Sequence, residues 1–207
     1  SAFDYGPSTD DEYFEIGFDN DNPVMNLDTT GNFTVMGWMN PLAPTVVRSY
    51  KILSTGSIAG ADRGWGFALR LNNTAGTGSS VRFTTFGIAD NDSMLFDVTF
   101  GAWMHLAATY SNGLITYYLN GNVLDSDFSA FGNEGLAGRL VVGSRAGGND
   151  ADQMNGMLDG IRVYDEVLTE AQIREAAVGS VSVVPEPSAA ALGLIAGLVW
   201  MGSRRRR

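Results

Sequence analysis

Few side chains of this 207-residue chain could do chemistry: one histidine, some short carboxylate runs and a few aromatics in glycine-rich settings. His105 follows Trp103 within an alternating segment. As a general base it would need a nucleophile or carboxylate beside it, and no Gly-x-Ser-x-Gly elbow occurs. It reads instead as a side chain on a sheet face, hydrogen-bonded to backbone or water. Carboxylates paired for acid–base work would have to share one strand face at period two. The nearest runs are Asp10-Asp11-Glu12, close to the N-terminus, and Asp125-x-Asp127 before Phe128. Neither lies in a long strand beside aromatics, so the residues point away from an enzyme. Cysteine is absent, which excludes a disulfide scaffold, a thiolate zinc site and a cysteine nucleophile.

Sugar binding would need aromatic rings beside polar side chains, because a pyranose lays its apolar face on a ring while its hydroxyls are hydrogen-bonded. Trp65, flanked by Arg63-Gly64 and Gly66, sits at a loop-to-strand junction where it either lines a rim or enters the core. Phe86 and Tyr118 fall on the polar sides of their strands and are the other stacking candidates. Trp38 and Trp103 occupy core positions. Hard-oxygen clusters stand at Asp19-Asn20-Asp21-Asn22, Asp90-Asn91-Asp92 and Asn149-Asp150-Ala151-Asp152. The last two read as solvated loops.

Short strands must position these groups. Glycine is abundant at 26 residues and charged residues are sparse at 17%, a balance that suits strands joined by turns. Phe67, Leu69 and Leu71 alternate with Ala68, Arg70 and Asn72. Val81, Phe83 and Thr85 alternate with Arg82, Thr84 and Phe86, and Ile115, Tyr117 and Leu119 with Thr116 and Tyr118. Further strands are expected at Phe14–Phe18, Val24–Leu27, Phe33–Asn40, Lys51–Ser57, Trp103–Tyr110, Val123–Asp127, Leu140–Ser144 and Leu158–Tyr164. Asn120-Gly121 is a strong two-residue hairpin signal, and Ser111-Asn112-Gly113 supplies the turn before it. One helix is expected, opened by a Thr169-Glu-Ala-Gln172 capping box and packed against a sheet edge. The fold class is an all-β antiparallel sandwich of jelly-roll type with one short helix. The expected domain boundaries are an extension over 1–12, the sandwich over 13–178, a linker over 179–187 and an apolar segment with its arginine cluster over 188–207.

Three segments, in order, resemble LamG-like jelly rolls of the concanavalin A-like superfamily. Phe33-Thr-Val-Met-Gly-Trp38-Met-Asn-Pro41 is similar to the first core strand. Trp103-Met-His105-Leu-Ala-Ala-Thr-Tyr110 with Tyr118-Leu-Asn120-Gly121 is similar to the central hairpin. Gly156-Met-Leu-Asp159-Gly-Ile-Arg162-Val-Tyr164 with Val167-Leu-Thr169-Glu-Ala-Gln-Ile173 is similar to the closing strand and helix. The resemblance implies a binding module for carbohydrate or adhesion. The alternatives are a structural matrix protein without a discrete ligand site or a glycoside hydrolase-like enzyme. For the last, the resemblance implies Glu-x-Asp-x-Glu on one strand, with carboxyls about 5 Å apart, and the chain has no such triplet. It also implies a structural Ca²⁺ held by Asp19 and Asp159 where first and last strands meet. Turn chemistry at Asp19, with Asp159 pairing Arg162 or capping a bulge, explains the same residues equally well.

The tail carries an address. After Gly179-Ser-Val-Ser-Val-Val184 come Pro185-Glu186-Pro187, the uncharged 14-residue run Ser188–Met201, and Arg204-Arg205-Arg206-Arg207. As a helix the run spans about 21 Å, short of the roughly 30 Å of a bilayer core, yet it has no polar face and ends in a cytoplasmic-type basic cluster. It is expected to form a single C-terminal transmembrane helix. Val184-Pro185-Glu186-Pro187 with the apolar run and terminal arginines resembles the PEP-CTERM sorting signal of Gram-negative bacteria. The resemblance implies export, transient inner-membrane anchoring through residues 188–201, and cleavage by an exosortase-type membrane protease. Release to the cell surface or an extracellular polysaccharide would follow. The chain starts at Ser1, so a secretory signal peptide is either already removed or missing. Without its last four arginines the chain holds 9 basic against 23 acidic residues, and a body this acidic repels nucleic acid.

Overall fold

A computed structural model describes residues 3–5, 14–17, 31–56, 64–86, 88–128, 139–144 and 152–179. They form two antiparallel six-stranded sheets and one helix. In the first sheet β1 (Phe3–Tyr5) pairs with β12 (Gly156–Tyr164), which continues to β3 (Asn32–Pro41), β8 (Met104–Ser111), β9 (Leu114–Leu119) and β10 (Asn122–Phe128). The second runs from β2 (Phe14–Gly17) through β11 (Arg139–Val142), β4 (Ser49–Gly56), β5 (Trp65–Arg70) and β6 (Ser80–Thr85) to β7 (Ala89–Asp92).

Period-two alternation explains the layering. Phe33, Val35 and Met39 point inward from β3, Leu106 from β8, Ile115 and Tyr117 from β9, and Phe67, Leu69, Val81 and Phe83 from the facing sheet; all are buried in one core. Aromatic packing joins the layers: the Phe33 ring lies 5.2 Å from Phe83 and 5.4 Å from Tyr110, and Trp65 stacks 5.6 Å from Phe83. Both expected tight turns form. Asn112 and Gly113 have φ of 48° and 91°, and Asn120 and Gly121 have φ of 50° and 81°, the left-handed pair that matches strand twist.

Helix α1 (Glu170–Ala177) starts at the expected capping box, with the Gln172 N–H donating to Thr169 Oγ1 and the Thr169 N–H donating to Gln172 Oε1. It covers the outer face of the first sheet as well as touching its edge strand. Ile173 is buried with Met36, Ala107, Tyr118 and Leu168, the outward side chains of β3, β8 and β9 supplying the floor. The buried Thr34 hydroxyl fixes the connecting loop, donating to Glu166 C=O at 2.7 Å and accepting from Leu168 N–H at 2.9 Å.

Several expectations need correction. Asp90-Asn91-Asp92 is not a free loop but the strand β7, registered on Arg82 to Thr84. β1 has no counterpart in the sequence pattern. Trp103 stands outside the core, 41% exposed just before β8, and Trp38 is half-buried on the outer face. The segment Val24–Leu27, Asp19 and the tail from Ser180 lie outside the described residues. Among the described residues no helix is long and apolar enough to cross a membrane.

Candidate functional site

The second sheet turns a polar face outward. Strand register aligns Lys51, Ala68, Arg82 and Asp92 in one row across β4 to β7, and Gly66, Thr84 and Asp90 in the next. A bulge between Lys51 and Leu53 lets Ile52 and Leu53 both enter the core while Lys51 stays on the outer face. The two small residues of β5 hollow this face. At Gly66 a Cβ would come within 3.1 Å of Thr84 Cγ2 and 3.2 Å of Phe86 Cζ, so any larger residue would crowd that ring by a few tenths of an ångström.

Above the hollow lies a cavity of about 400 Å³, within the roughly 300–1,000 Å³ typical of small-molecule sites. Lys51 and Thr84 contribute to its lining, with Phe86 and Ile88 as apolar components and Ser49, Arg82, Asp90 and Asp152 as polar ones. The Lys51 ammonium sits 5.5 Å from the Phe86 ring centroid. Phe86 is held from behind, its N–H donating to Gly64 C=O at 2.9 Å. Gly64 has φ of 117°, and a Cβ there would lie 2.4 Å from Thr55 C=O oxygen, so the strand crossing requires glycine.

Arg82 organises the polar wall. Its Nε and Nη2 donate to the two oxygens of Asp92 at 2.8 and 2.7 Å, and its Nη1 donates to Asp90 Oδ2 at 2.7 Å. The Thr84 hydroxyl donates to the other Asp90 oxygen, and Arg70 approaches Asp92 at 3.5 Å. Burial alone would raise the Asp92 pKa, but hydrogen bonds and charge from Arg82, with Arg70 and Ser80, outweigh it and hold the carboxyl below its ordinary value. The Asp92 bonds correspondingly raise Arg82. Bidentate pairing of this kind fixes direction as well as charge.

Of the sequence-based stacking candidates, Phe86 alone reaches this cavity. Trp65 is 1% exposed inside the sandwich, and Tyr118 is 6% exposed beneath α1. Both are core rings, so neither can stack on a ligand from solution. Tyr118 does lie on the outer side of its strand as read, but the helix covers that side. The sequence reading assigns no site role to Arg82 or Lys51 and takes Asp90 and Asp92 for a solvated loop. The signal for them was a charge pattern, Arg82-x-Thr84 followed across a short turn by Asp90-x-Asp92, with like-facing members at period two.

His105 faces the other way, on the outer side of the first sheet. It is 1% exposed and edge-on to Trp38 at 5.3 Å, and its Nδ1 has no hydrogen-bond partner among the described residues. Burial first, then the charge of Arg162, lowers its pKa to about 4. Asp159 is exposed at the bulge of β12, where its Oδ1 accepts the Gly160 N–H at 2.8 Å, which is the bulge-capping role. Among the described residues no group of three His, Cys, Asp or Glu side chains converges, and calcium wants about six to eight oxygens. Of the two expected ligands, only Asp159 lies among the described residues.

The family model of the concanavalin A-like lectin/glucanases superfamily matches residues 8–174. Among solved structures, a heptameric SAP-like pentraxin from Limulus polyphemus is similar at 18% identity and TM-score 0.59, over 70% of this chain and 69% of that one. Domain 4 of AbnA, a GH43 extracellular arabinanase from Geobacillus stearothermophilus solved with arabinotriose, shares 18% identity at TM-score 0.50, over 71% of this chain and 66% of its own. The botulinum neurotoxin serotype D binding domain shares 16% identity at TM-score 0.60, over 84% of this chain but only 42% of its own. At these identities the likeness is one of fold.

Proposed function

The chain belongs to the concanavalin A-like lectin/glucanases superfamily, and from that premise we propose that it is a non-enzymatic carbohydrate-binding module acting outside the cytoplasm. The observation that carries this reading is the cavity on the second sheet, where the Phe86 ring and Ile88 stand beside the Arg82–Asp90 pair. A sugar ring is itself two-faced, with C–H groups to lay on an aromatic and hydroxyls to hydrogen-bond. The arabinotriose bound to the similar arabinanase domain is in keeping with a glycan ligand.

Catalysis is disfavoured by the same geometry. A general acid in glycoside hydrolysis needs a carboxyl that holds its proton near neutral pH. Asp92 is pulled the opposite way and both its oxygens are occupied by Arg82. Asp90 is likewise shared between Arg82 and Thr84.

The tail supplies the location in this reading. Val184-Pro185-Glu186-Pro187, the apolar Ser188–Met201 and Arg204 to Arg207 would hold the exported chain in the inner membrane until an exosortase-type protease releases it to the surface. Binding of residues 1–184 to a glycan array, repeated with Phe86→Ala, tests the module. Binding that drops at least about fivefold in the variant supports it, since loss of one stacking ring removes about 1–2 kcal/mol. Equal binding by both proteins removes the cavity from consideration.

A further inference from the structure

Charge placement around this cavity narrows the ligand. The inference rests on the carbohydrate reading above. Its cations lie low: Lys51 is 3% exposed in the floor, and the Arg82 side chain is 17% exposed with three N–H groups directed at carboxylates. Its carboxylates stand higher. The Asp90 side chain is 53% exposed at the rim, and Asp152 is partly exposed in the lining. A ligand entering from solvent therefore meets negative charge before positive. The whole body reinforces this, since residues 1–184 carry 22 acidic against 9 basic side chains.

An anionic sugar would have to displace Asp90 or Asp92 from Arg82, leaving a half-buried carboxylate without its partner. A neutral sugar needs no such exchange. Its hydroxyls donate to the outward lone pairs of Asp90 and Asp152, and the guanidinium has N–H capacity left for a sugar oxygen. Its C–H face meets Phe86 and Ile88. We propose that this cavity selects neutral glycans and rejects uronic-acid-bearing ones, with Asp90 and Asp152 as the residues that enforce the choice by like-charge repulsion.

The test uses the full chain in mild detergent, titrated with neutral polysaccharides (arabinan, mannan and a β-glucan) and with polygalacturonate and alginate. Each is run at about 50 and 500 mM salt. The expected result is binding of at least one neutral polymer, at least tenfold tighter than either uronate polymer and changed less than threefold by salt. Asp152→Lys, which reverses one rim charge, is expected to raise the ratio of polygalacturonate to neutral affinity at least fivefold at low salt. Preferential, salt-weakened binding of polygalacturonate by the native chain overturns the selectivity but leaves the carbohydrate module standing. Neutral binding with no rise in that ratio in Asp152→Lys overturns the role of Asp152. Failure to bind any polymer defeats the module and this inference together.

Discussion

Replacing His105 with leucine separates burial from titration at the only histidine in the chain. In the folded protein burial, and then the nearby charge of Arg162, lowers the ring's pKa from 6.5 to about 4. An unfolded chain titrates near 6.5. At pH 7 the ring is neutral in the folded state and mostly neutral in the unfolded one, so it adds little pH slope. As pH falls from about 6.5 to 4 the unfolded state takes up a proton that the folded state refuses. Stability therefore falls with pH, by about 1.4 kcal/mol per unit and about 3 kcal/mol over the window, and the loss levels off below about pH 4. Leucine fits the same outward position under Trp38, carries no proton and removes the unpartnered Nδ1. Urea unfolding of both proteins at about pH 7, 5.5 and 4 is the assay. His105→Leu should match the native chain within about 1 kcal/mol at pH 7 and exceed it by about 3 kcal/mol at pH 4. The single histidine Cε1–H resonance offers a second readout, with a midpoint near 4. A midpoint near 6.5, or a gap between the two proteins that stays constant with pH, refutes the burial reasoning.

Arg82→Met should leave the partly buried Asp92 without its bidentate partner, lowering stability by about 2–3 kcal/mol at pH 7. Burial then raises the Asp92 pKa, so the deficit should shrink as pH falls towards 4, which a melting series over pH will read. Gly121→Ala forces a Cβ to 2.8 Å from Arg174 Cα at a φ of 81°, and chemical denaturation should show a loss of at least about 2 kcal/mol. Thr169→Ala removes both hydroxyl contacts of the capping box and should lower thermal stability by about 1 kcal/mol. Pro185, Glu186 and Pro187 changed together to alanine should leave the exported chain in the membrane fraction. Fractionation of cells that carry an exosortase-type protease checks this, and unchanged release to the medium contradicts the sorting reading.

The sandwich was legible because alternation and turn chemistry are local. Phe67-x-Leu69, Val81-x-Phe83 and Ile115-x-Tyr117 each write their buried face in period two, and Asn120-Gly121 and Thr169-x-x-Gln172 name their own backbone geometry. The site was less legible because it is made by register. Nothing within Asp90-Asn91-Asp92 tells a solvated turn from an edge strand; Arg82 on the neighbouring strand decides it by pairing with both carboxylates. Tyr118 shows the same limit from the other side. Its alternation gives the correct face of β9, but a helix more than fifty residues later covers that face. The glycines flanking Trp65 leave rim and core both open in the sequence, and the fold places the ring in the core. Those glycines instead serve Phe86: Gly64 holds its backbone and Gly66 leaves space for its ring.

Chemical-shift mapping of the isotope-labelled chain during titration with its best-bound neutral oligosaccharide asks most directly where the ligand sits. The expected perturbations cluster at Lys51, Thr84, Phe86, Asp90 and Asp152, with His105 and α1 unmoved. Perturbations concentrated at α1 and His105, or at the loops around Trp103, with Phe86 silent, would contradict the assignment of the binding face to the second sheet.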